Sequence, residues 1–416
     1  MPGDTRAGYG NEAPWGTRMR RVGWYAAFGL MPFGSSIPAL LILLVDRVRG
    51  AVNRSQELFP RLSAPLARWA IRLLLALLFS TMLSSAFSPR PLVAFVSDLG
   101  FLLVLCGIFH GAIDLGRLGP EPLRRRYLPL MVCAGAAACL AALARFGVMQ
   151  YIVHDLAYRA ANLFTGCNGL GTTLIFVGGP GITWLIQRGG KWPYLIPPFL
   201  GLVCLTLLAT GSRGAWIGFA GMLAAICLFN RRLLLPLLVA VLVLGLAYTA
   251  SPFLRERFRC TASFDLRLDI WRSSWRLIRA NPLVGVGTGV YPHAIEEYAV
   301  GSTRDQKEVP FAHNIFLQAW AEFGVLGLIA FSSFLLVILR MSLALARGGD
   351  LVYQGIFAAF VGIILHQQVD CTILGLDLGG AFWMLIGLVI GLYTHERDRK
   401  TRNGITGLTG LTGFTV

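Results

Sequence analysis

Long apolar stretches alternate with short polar segments along most of the chain. A helix needs about 20 apolar residues to cross the ~30 Å hydrocarbon core of a membrane. Stretches that meet this requirement predict membrane spans at residues 66–86, 92–112, 127–147, 168–187, 193–210, 213–229, 232–250, 314–338, 351–369 and 377–394. The pattern therefore predicts an all-α polytopic membrane protein.

The first apolar stretch, residues 22–45, is interrupted by Pro32, Gly34 and Pro38. Because proline and glycine weaken the interior of a helix, this stretch predicts two short helices with a turn between them. Together with the other spans they give about 12 transmembrane helices. A re-entrant hairpin is the alternative arrangement, since both helices are short for full spans.

Composition excludes a soluble enzyme and a soluble domain on a single anchor. Hydrophobic residues make up 55% of the chain and charged residues 14%, whereas an average globular chain is nearer ~45–50% and ~25%. The net charge of +16 would suggest nucleic acid in a soluble protein. Basic cytoplasmic loops explain it here, and no nucleic-acid partner is expected.

Charge also predicts the orientation, because Lys and Arg concentrate in cytoplasmic loops. If the spans alternate, five basic groups share the cytoplasmic side: Arg124–Arg126, Arg188 with Lys191, Arg231–Arg232, Arg340 with Arg347, and Arg397–Lys400. The predicted organisation is a basic cytoplasmic arm (1–21), membrane helices (22–250), a long loop on the opposite side (251–312), further membrane helices (313–396) and a cytoplasmic, disordered tail (397–416).

Four arginines fall on the side where the positive-inside rule does not favour them, namely Arg90, Arg159, Arg213 and Arg267. Arg213 follows Ser212 between two glycines at the boundary of two spans. A single arginine at such a boundary can extend to lipid headgroups. Four together predict an anion site suited to phosphate or pyrophosphate, since guanidinium groups bind such groups bidentately.

His313 begins the helix that leaves the long loop, and Asn314, Gln318 and Glu322 recur at helical spacing behind it. These three polar residues share one face, which must point into protein or water rather than lipid. At a helix N-terminus the macrodipole favours a neutral imidazole that can accept a proton. We therefore expect His313 to be a general base, with a helix-capping role as the alternative.

The long loop itself predicts an amphipathic helix followed by a tight turn. Apolar residues at 268, 271, 275 and 278 form one face, and basic residues including Arg272 form the other. An interfacial helix lying on headgroups is the alternative interpretation. The glycine run at 285–289 has the wrong spacing for a dinucleotide fingerprint, and we expect it to pack the loop against the membrane helices.

No P-loop, zinc motif or paired acidic metal motif occurs, so neither a cofactor nor a metal is expected. The eight cysteines lack metal-ligand spacing. An oxidising compartment would allow one disulfide among the three predicted to lie on the side of the long loop: Cys167, Cys260 and Cys371.

Three motifs together resemble a known family. They are Thr-Gly-Ser-Arg-Gly-Ala-Trp at 210–216, Arg267 and Trp271 followed by Asn-Pro-Leu at 281–283 with its glycines, and the His-Asn segment at 313–324. In this order they resemble the O-antigen ligase and polymerase superfamily of bacterial envelope glycosyltransferases, over roughly residues 150 to 345. The resemblance implies a GT-C-like fold in the bacterial inner membrane, with the long loop in the periplasm.

The resemblance also implies the reaction. The donor would be O-antigen polysaccharide on undecaprenyl pyrophosphate, and the acceptor a sugar hydroxyl of lipid A–core. Arg213 and Arg267 match motif positions associated with the pyrophosphate, while Arg159, ahead of Asn168, matches more loosely. His313 matches the proposed catalytic histidine.

Alternatives stay open within and outside this superfamily. A polymerase would use a second lipid-linked repeat as acceptor, and a protein O-oligosaccharyltransferase would use Ser or Thr. One long loop and a short C-terminal region favour the ligase. A transporter of an anionic lipid-linked substrate would also suit 12 helices, but we find no convincing internal repeat.

Overall fold

The computed structural model describes residues 14–52, 62–154, 158–163, 165–190, 192–231, 262–306, 309–373 and 376–402, with isolated positions between 242 and 255. Its α-helices are α1 Pro14–Leu30, α2 Ile37–Val52, α3 Pro65–Ala86, α4 Pro91–Val104, α5 His110–Arg117, α6 Leu128–Gly147, α7 Cys167–Arg188, α8 Ile196–Thr210, α9 Arg213–Phe229, α10 Ala262–Ala280, α11 Tyr291–Tyr298, α12 Ile315–Ala346, α13 Leu351–His366 and α14 Leu376–Arg402. The residues described are helical or loop, and none of them forms a strand.

Five helical segments of the described chain are long and apolar enough to cross a membrane. They are Pro65–Ala86, Pro91–Arg117, Leu123–Ile152, Cys167–Arg188 and Ile315–Ala346. Helices α8, α9 and α13 are apolar but shorter. The chain is thus an all-helical, multi-pass membrane protein. The predicted span 232–250 lies almost wholly outside the described residues, and the total of 12 helices stays a prediction.

The N-terminal stretch forms the two helices that its prolines and glycine predicted. Helices α1 and α2 are joined by a short 3-10 turn, Met31–Phe33, and a left-handed Gly34. A 3.0 Å ion pair between Arg20 Nε and Asp46 Oδ2 links the two outer ends, so the helices run antiparallel. Helix α1 begins at Pro14, inside the segment predicted as a polar arm.

One end of the helix bundle collects the basic loops. Arg124 pairs with Glu121 and with Asp350, and its carbonyl oxygen accepts a hydrogen bond from Trp184 Nε1 at 2.9 Å. At the same end, the Tyr353 hydroxyl donates to Glu396 at 2.9 Å. We call this the basic end. Helix α14 continues there to Arg402, whereas a disordered tail was predicted from 397; residues 403–416 lie outside the described part of the chain.

Helix α13 lies at the centre of the bundle and packs against α7, α9 and α12. Gly218 of α9 and Gly362 of α13 face each other, and a Cβ on either would lie 2.6–2.7 Å from the carbonyl oxygen of the other. Small residues of this kind let membrane helices approach closely. The close packing gives α13 a fixed position, and its C-terminal end carries the site described below.

The segment after residue 262 has a small core of its own. Ile270, Leu277 and Ile278 of α10 pack with Tyr291 and with residues of α4 and α12. The buried face therefore differs from the predicted one, because Trp275 is 47% exposed. The reason is that Ser273 and Ser274 are buried instead, where their hydroxyls bond to the helix backbone and, from Ser274, to Tyr291 Oη at 2.7 Å.

Candidate functional site

His313 lies two residues before Ile315, the first residue of α12, and has a left-handed backbone, with φ of 50°. The next residue, Asn314, is the helix N-cap, because its Oδ1 accepts hydrogen bonds from the N–H groups of Phe316 and Leu317 at 3.0 and 3.1 Å. Asn314 Nδ2 also donates to the carbonyl oxygen of Gln368 at 3.0 Å. These bonds hold the histidine against the loop that follows α13.

The partner of the histidine is a carboxylate in that loop. His313 Nδ1 lies 3.5 Å from Asp370 Oδ1, and the second oxygen of Asp370 lies 3.9 Å from Nε2 of His366. The Asp370 side chain is 6% exposed and that of His366 is fully buried, whereas that of His313 is 24% exposed. One carboxylate thus stands between a buried imidazole and one that solvent can reach.

Electrostatics keep Asp370 ionised. Burial raises the pKa of this carboxyl, but its interactions with His313 and His366 outweigh burial, so its pKa lies below the usual range. An ionised Asp370 favours the His313 tautomer with a proton on Nδ1, which leaves the lone pair on Nε2. The 3.5 Å separation between His313 Nδ1 and Asp370 Oδ1 is long for a hydrogen bond.

A buried polar network connects this pair to the core. His366 Nδ1 lies 2.9 Å from the hydroxyl oxygen of Thr172 on α7, and that oxygen lies 2.7 Å from the hydroxyl of Thr372. Gln367 Nε2 donates to Thr372 at 2.9 Å. Because these side chains come from α7 and from both sides of the α13 terminus, the network fixes the loop that carries Asp370.

The Thr210–Trp216 motif joins α8 to α9 at the same end of the bundle. Arg159 Nε donates to the carbonyl oxygen of Thr210 at 2.7 Å, and the Ser212 hydroxyl accepts from the N–H of Ala215 as the N-cap of α9. Arg213 is the first residue of α9 and is partly buried. The structure therefore brings Arg159 and Arg213, which are far apart in the sequence, to one junction.

This junction contacts the C-terminal end of α13, which carries His366. Gly214 packs against His366 and Val369, where an added Cβ would lie 2.5 Å from a Val369 methyl and 3.1 Å from the His366 ring. The Arg267 guanidinium of α10, with its Nε buried, is near enough to His366 for their charges to interact. We call the end that holds Arg159, Thr210–Arg213, His313 and His366–Asp370 the motif end.

The glycine run docks the loop on the membrane helices, as predicted. Gly285, Gly287 and Gly289 all have positive φ. The N–H groups of Val286 and Gly287 donate to the carbonyl oxygens of Ala321 and Glu322 at 2.9 and 3.0 Å. The loop therefore follows the first turns of α12 closely enough to form backbone hydrogen bonds with it.

Gln318 and Glu322 are buried, as their helical face predicted, and both hold this loop. Glu322 Oε1 accepts from the N–H of Gly289 at 3.0 Å, and Gln318 Oε1 accepts from the N–H of Ala312 at 2.7 Å. Each side chain thus satisfies a backbone donor of the segment between α10 and α12. Their described contacts therefore hold this segment in place.

Three further residues predicted for the site have no described contact with Arg159, Arg213 or Arg267. Arg90 is exposed at the α3–α4 corner, where its N–H donates to Ser88. Arg272 forms a 3.0 Å ion pair with Asp269 on α10. Asn168 lies in the first turn of α7, and its carbonyl oxygen accepts from the Thr172 hydroxyl at 3.4 Å, so it supports the network only through the backbone.

Sequence reasoning missed Asp370, His366 and Thr172. The available signal was the His366-x-x-x-Asp370 spacing at the end of an apolar stretch, which puts an acid on the same side of the membrane as the arginines. Cys167 and Cys371 are free thiols, and Cys260 lies outside the described residues. No group of three or more His, Cys, Asp or Glu side chains within the described chain could hold a metal ion.

Comparison with known proteins agrees with the motifs. Residues 198–332 match the family model described as O-antigen ligase. This segment is therefore similar to an O-antigen ligase domain. It contains Arg213, Arg267 and His313, and its match confirms the family resemblance inferred from the sequence. Lipid-linked polysaccharides and membrane lipids are the partners that this family implies.

A relative of unassigned function shares part of the chain. An uncharacterized protein of Haemophilus influenzae is 27% identical over 155 residues, a match that covers 31% of this chain and 38% of that protein. The match to the O-antigen ligase family supports a membrane glycosyltransferase-like ligase or polymerase.

Proposed function

We propose that this protein is an O-antigen ligase of the bacterial inner membrane. It transfers O-antigen polysaccharide from undecaprenyl pyrophosphate to a sugar hydroxyl of lipid A–core, at a site that faces the periplasm. The observation that carries this proposal is the His313–Asp370 pair beside the junction of Arg159 and Arg213. A base and a cationic group within one site are what glycosyl transfer from a pyrophosphate donor requires.

In this mechanism His313 Nε2 removes the proton of the acceptor hydroxyl as its oxygen attacks the anomeric carbon. General-base catalysis of this kind contributes roughly 10²–10⁴-fold. Asp370 holds the imidazole in the required tautomer and stabilises the imidazolium that forms. The bond from the anomeric carbon to the pyrophosphate oxygen breaks in the same step, so the anomeric configuration is inverted.

The arginines act on the leaving group. Arg213 and Arg267 bind the pyrophosphate, and Arg159 holds the backbone of the Thr210–Arg213 junction while adding positive charge. Charge that develops on the departing oxygen is stabilised most in a partly dehydrated site. Because the pyrophosphate is already a good leaving group, cationic side chains suffice and no metal is needed.

The test uses purified protein in detergent with undecaprenyl-pyrophosphate-linked O-antigen and lipid A–core. Gel-resolved glycosylated lipopolysaccharide is measured with and without chelator, for wild type and for His313→Ala and Arg213→Ala. Chelator-resistant product that both variants lose supports the ligase. Elongation of the lipid-linked donor without transfer to lipid A–core would instead make the protein a polymerase. If folded protein forms neither product, a transporter becomes the better interpretation.

A further inference from the structure

A cavity of about 380 Å³ lies beside the motif end, walled by α3, α4, α12 and α14. This volume falls in the range of about 300–1,000 Å³ that is typical of small-molecule sites. Its walls are mainly apolar and aromatic and include Leu77, Val104, Phe101, Phe323, Phe331 and Trp383. Neither the O-antigen ligase domain nor the mechanism above requires this cavity.

The apolar wall is held by contacts between aromatic rings. The Trp383 ring lies 5.1 Å from Phe101 and 5.8 Å from Phe334, measured between ring centroids. Aromatic contacts at these distances stabilise a fixed arrangement. The cavity therefore has a firm wall on its α14 side. On α4, Val96 lines the cavity while remaining 61% exposed, which marks an opening at the surface of the helix bundle.

The polar groups at the rim already have hydrogen-bond partners. Glu322 accepts from Gly289, and Gln318 accepts from Ala312. The Ser97 hydroxyl donates to the carbonyl oxygen of Val93 at 2.9 Å, and the Thr288 hydroxyl donates to Asp98 at 2.6 Å. A sugar would find few partners there, so the interior suits an aliphatic chain.

The position of the cavity favours binding of the acceptor rather than the donor. Phe311 and Ile373 line it, and they lie two residues before His313 and three residues after Asp370. Arg213 begins α9, which packs against α7 and α13, whereas α3, α4, α12 and α14 form the cavity. A donor held by its pyrophosphate at the arginines would leave its chain beside α7 to α9.

We propose that this cavity binds one acyl chain of the acceptor lipid and so holds the acceptor near His313. This inference rests on the proposed function only for the identity of the lipid, because binding can be measured without catalysis. The cavity thus contributes to binding and placing the acceptor and takes no part in bond breaking. Its loss should therefore raise KM rather than lower kcat.

The experiment is photo-crosslinking in detergent with two probes. One is lipid A with a diazirine at the end of an acyl chain, and the other is undecaprenyl phosphate with a terminal diazirine. Adducts are mapped by peptide mass spectrometry. Acyl-probe adducts in the peptides that contain Phe101 or Trp383 support the proposal. Adducts there from the undecaprenyl probe alone, or from neither probe, overturn it.

Variants make the assignment specific. Gly100→Leu fills the cavity from α4, and Val96→Trp obstructs its opening at an exposed position, where misfolding is a smaller risk. A tenfold loss of acyl-probe adducts in both corresponds to about 1.4 kcal/mol. Gly201→Leu is the matched control, since a Cβ at Gly201 of α8 would have no neighbour within 4 Å. Unchanged labelling in both cavity variants contradicts the proposal.

Parallel assays separate the two proposals. If wild type forms glycosylated product but no cavity adducts, the proposed ligase activity is supported and the acyl-chain site is contradicted. If cavity adducts form but no glycosylated product does, the acyl-chain site is supported and the proposed ligase activity is contradicted.

Discussion

Arg159 Nε donates a 2.7 Å hydrogen bond to the carbonyl oxygen of Thr210, at the C-terminal end of α8. The neighbouring backbone follows the same path, because the N–H of Ala160 donates to the carbonyl oxygen of Ala209 at 3.0 Å. The segment ahead of α7 thus runs beside the Thr210–Arg213 junction. Arg159, which matches the family only loosely, is thereby hydrogen-bonded to the Thr210–Trp216 motif.

His313→Asn should lower the transfer rate by roughly 10²–10⁴-fold, the contribution of a general base. Asparagine tolerates a left-handed backbone, so residue 313 should keep its backbone conformation, with φ of 50°. The measurement is product formation at saturating substrates, together with the melting temperature as a control. Retained activity in a folded variant would remove His313 from the chemistry.

Asp370→Asn should lower kcat by about 10²-fold, the low end of what general-base catalysis supplies, with KM little changed. The amide removes the charge that fixes the His313 tautomer. Nitrogen-15 shifts of the His313 ring should show a proton on Nδ1 in wild type and a tautomer mixture in the variant. An unchanged tautomer would contradict the positioning role.

Arg213→Ala should weaken pyrophosphate binding by roughly 10–100-fold, which corresponds to the loss of about 1.5–3 kcal/mol of charged hydrogen bonding. Arg213→Lys should recover only part of it, because an ammonium lacks the planar fork of a guanidinium. Competition by inorganic pyrophosphate against donor is the measurement. Arg72→Ala, at an exposed position of α3 near the basic end, is the control and should bind as wild type does.

Gly324→Ala should destabilise the fold. Gly324 interrupts α12 with φ of 70°, and an added Cβ would meet the carbonyl oxygen of Leu283. Backbone strain alone costs about 1–3 kcal/mol. The measurement is the melting temperature in detergent. Gly147→Ala, a helical site without a neighbour within 4 Å, should leave it unchanged or raise it, and a similar loss in both variants would show a general effect of alanine.

Acidification should loosen the contact between α10 and the turn at Ser302. Hydrogen bonds from the Ser302 backbone and hydroxyl, and then Arg272, hold the pKa of Asp269 below its usual range. The stabilisation is therefore complete above the unfolded pKa of about 3.9 and is lost as pH falls towards the folded value. The protection of the Ser302 amide against hydrogen exchange, taken relative to its intrinsic rate at each pH, should fall in this window, and in Asp269→Asn it should be low at every pH.

The sequence alone predicted much of this architecture. Apolar length predicted the helices, because that signal is local. The motifs singled out His313 and Arg213 for the same reason, and the roles of these two residues stay predictions. The sequence did not predict Asp370 as the partner of His313, since the two are 57 positions apart and meet only because α12 and α13 pack together. The buried face of α10 was misplaced because Ser273 and Ser274 count as polar until their hydroxyls find partners.

The histidine and its carboxylate come from different parts of the chain, and this limits how the site can be exchanged between relatives. The segment that matches the O-antigen ligase family spans residues 198–332, so it contains His313 but neither Asp370 nor Thr172. A chimera that transplants only this segment would carry the proposed base, His313, without Asp370, so the orientation of its imidazole would depend on the host's last helices. Matching those helices, rather than the segment, should decide whether such hybrids work.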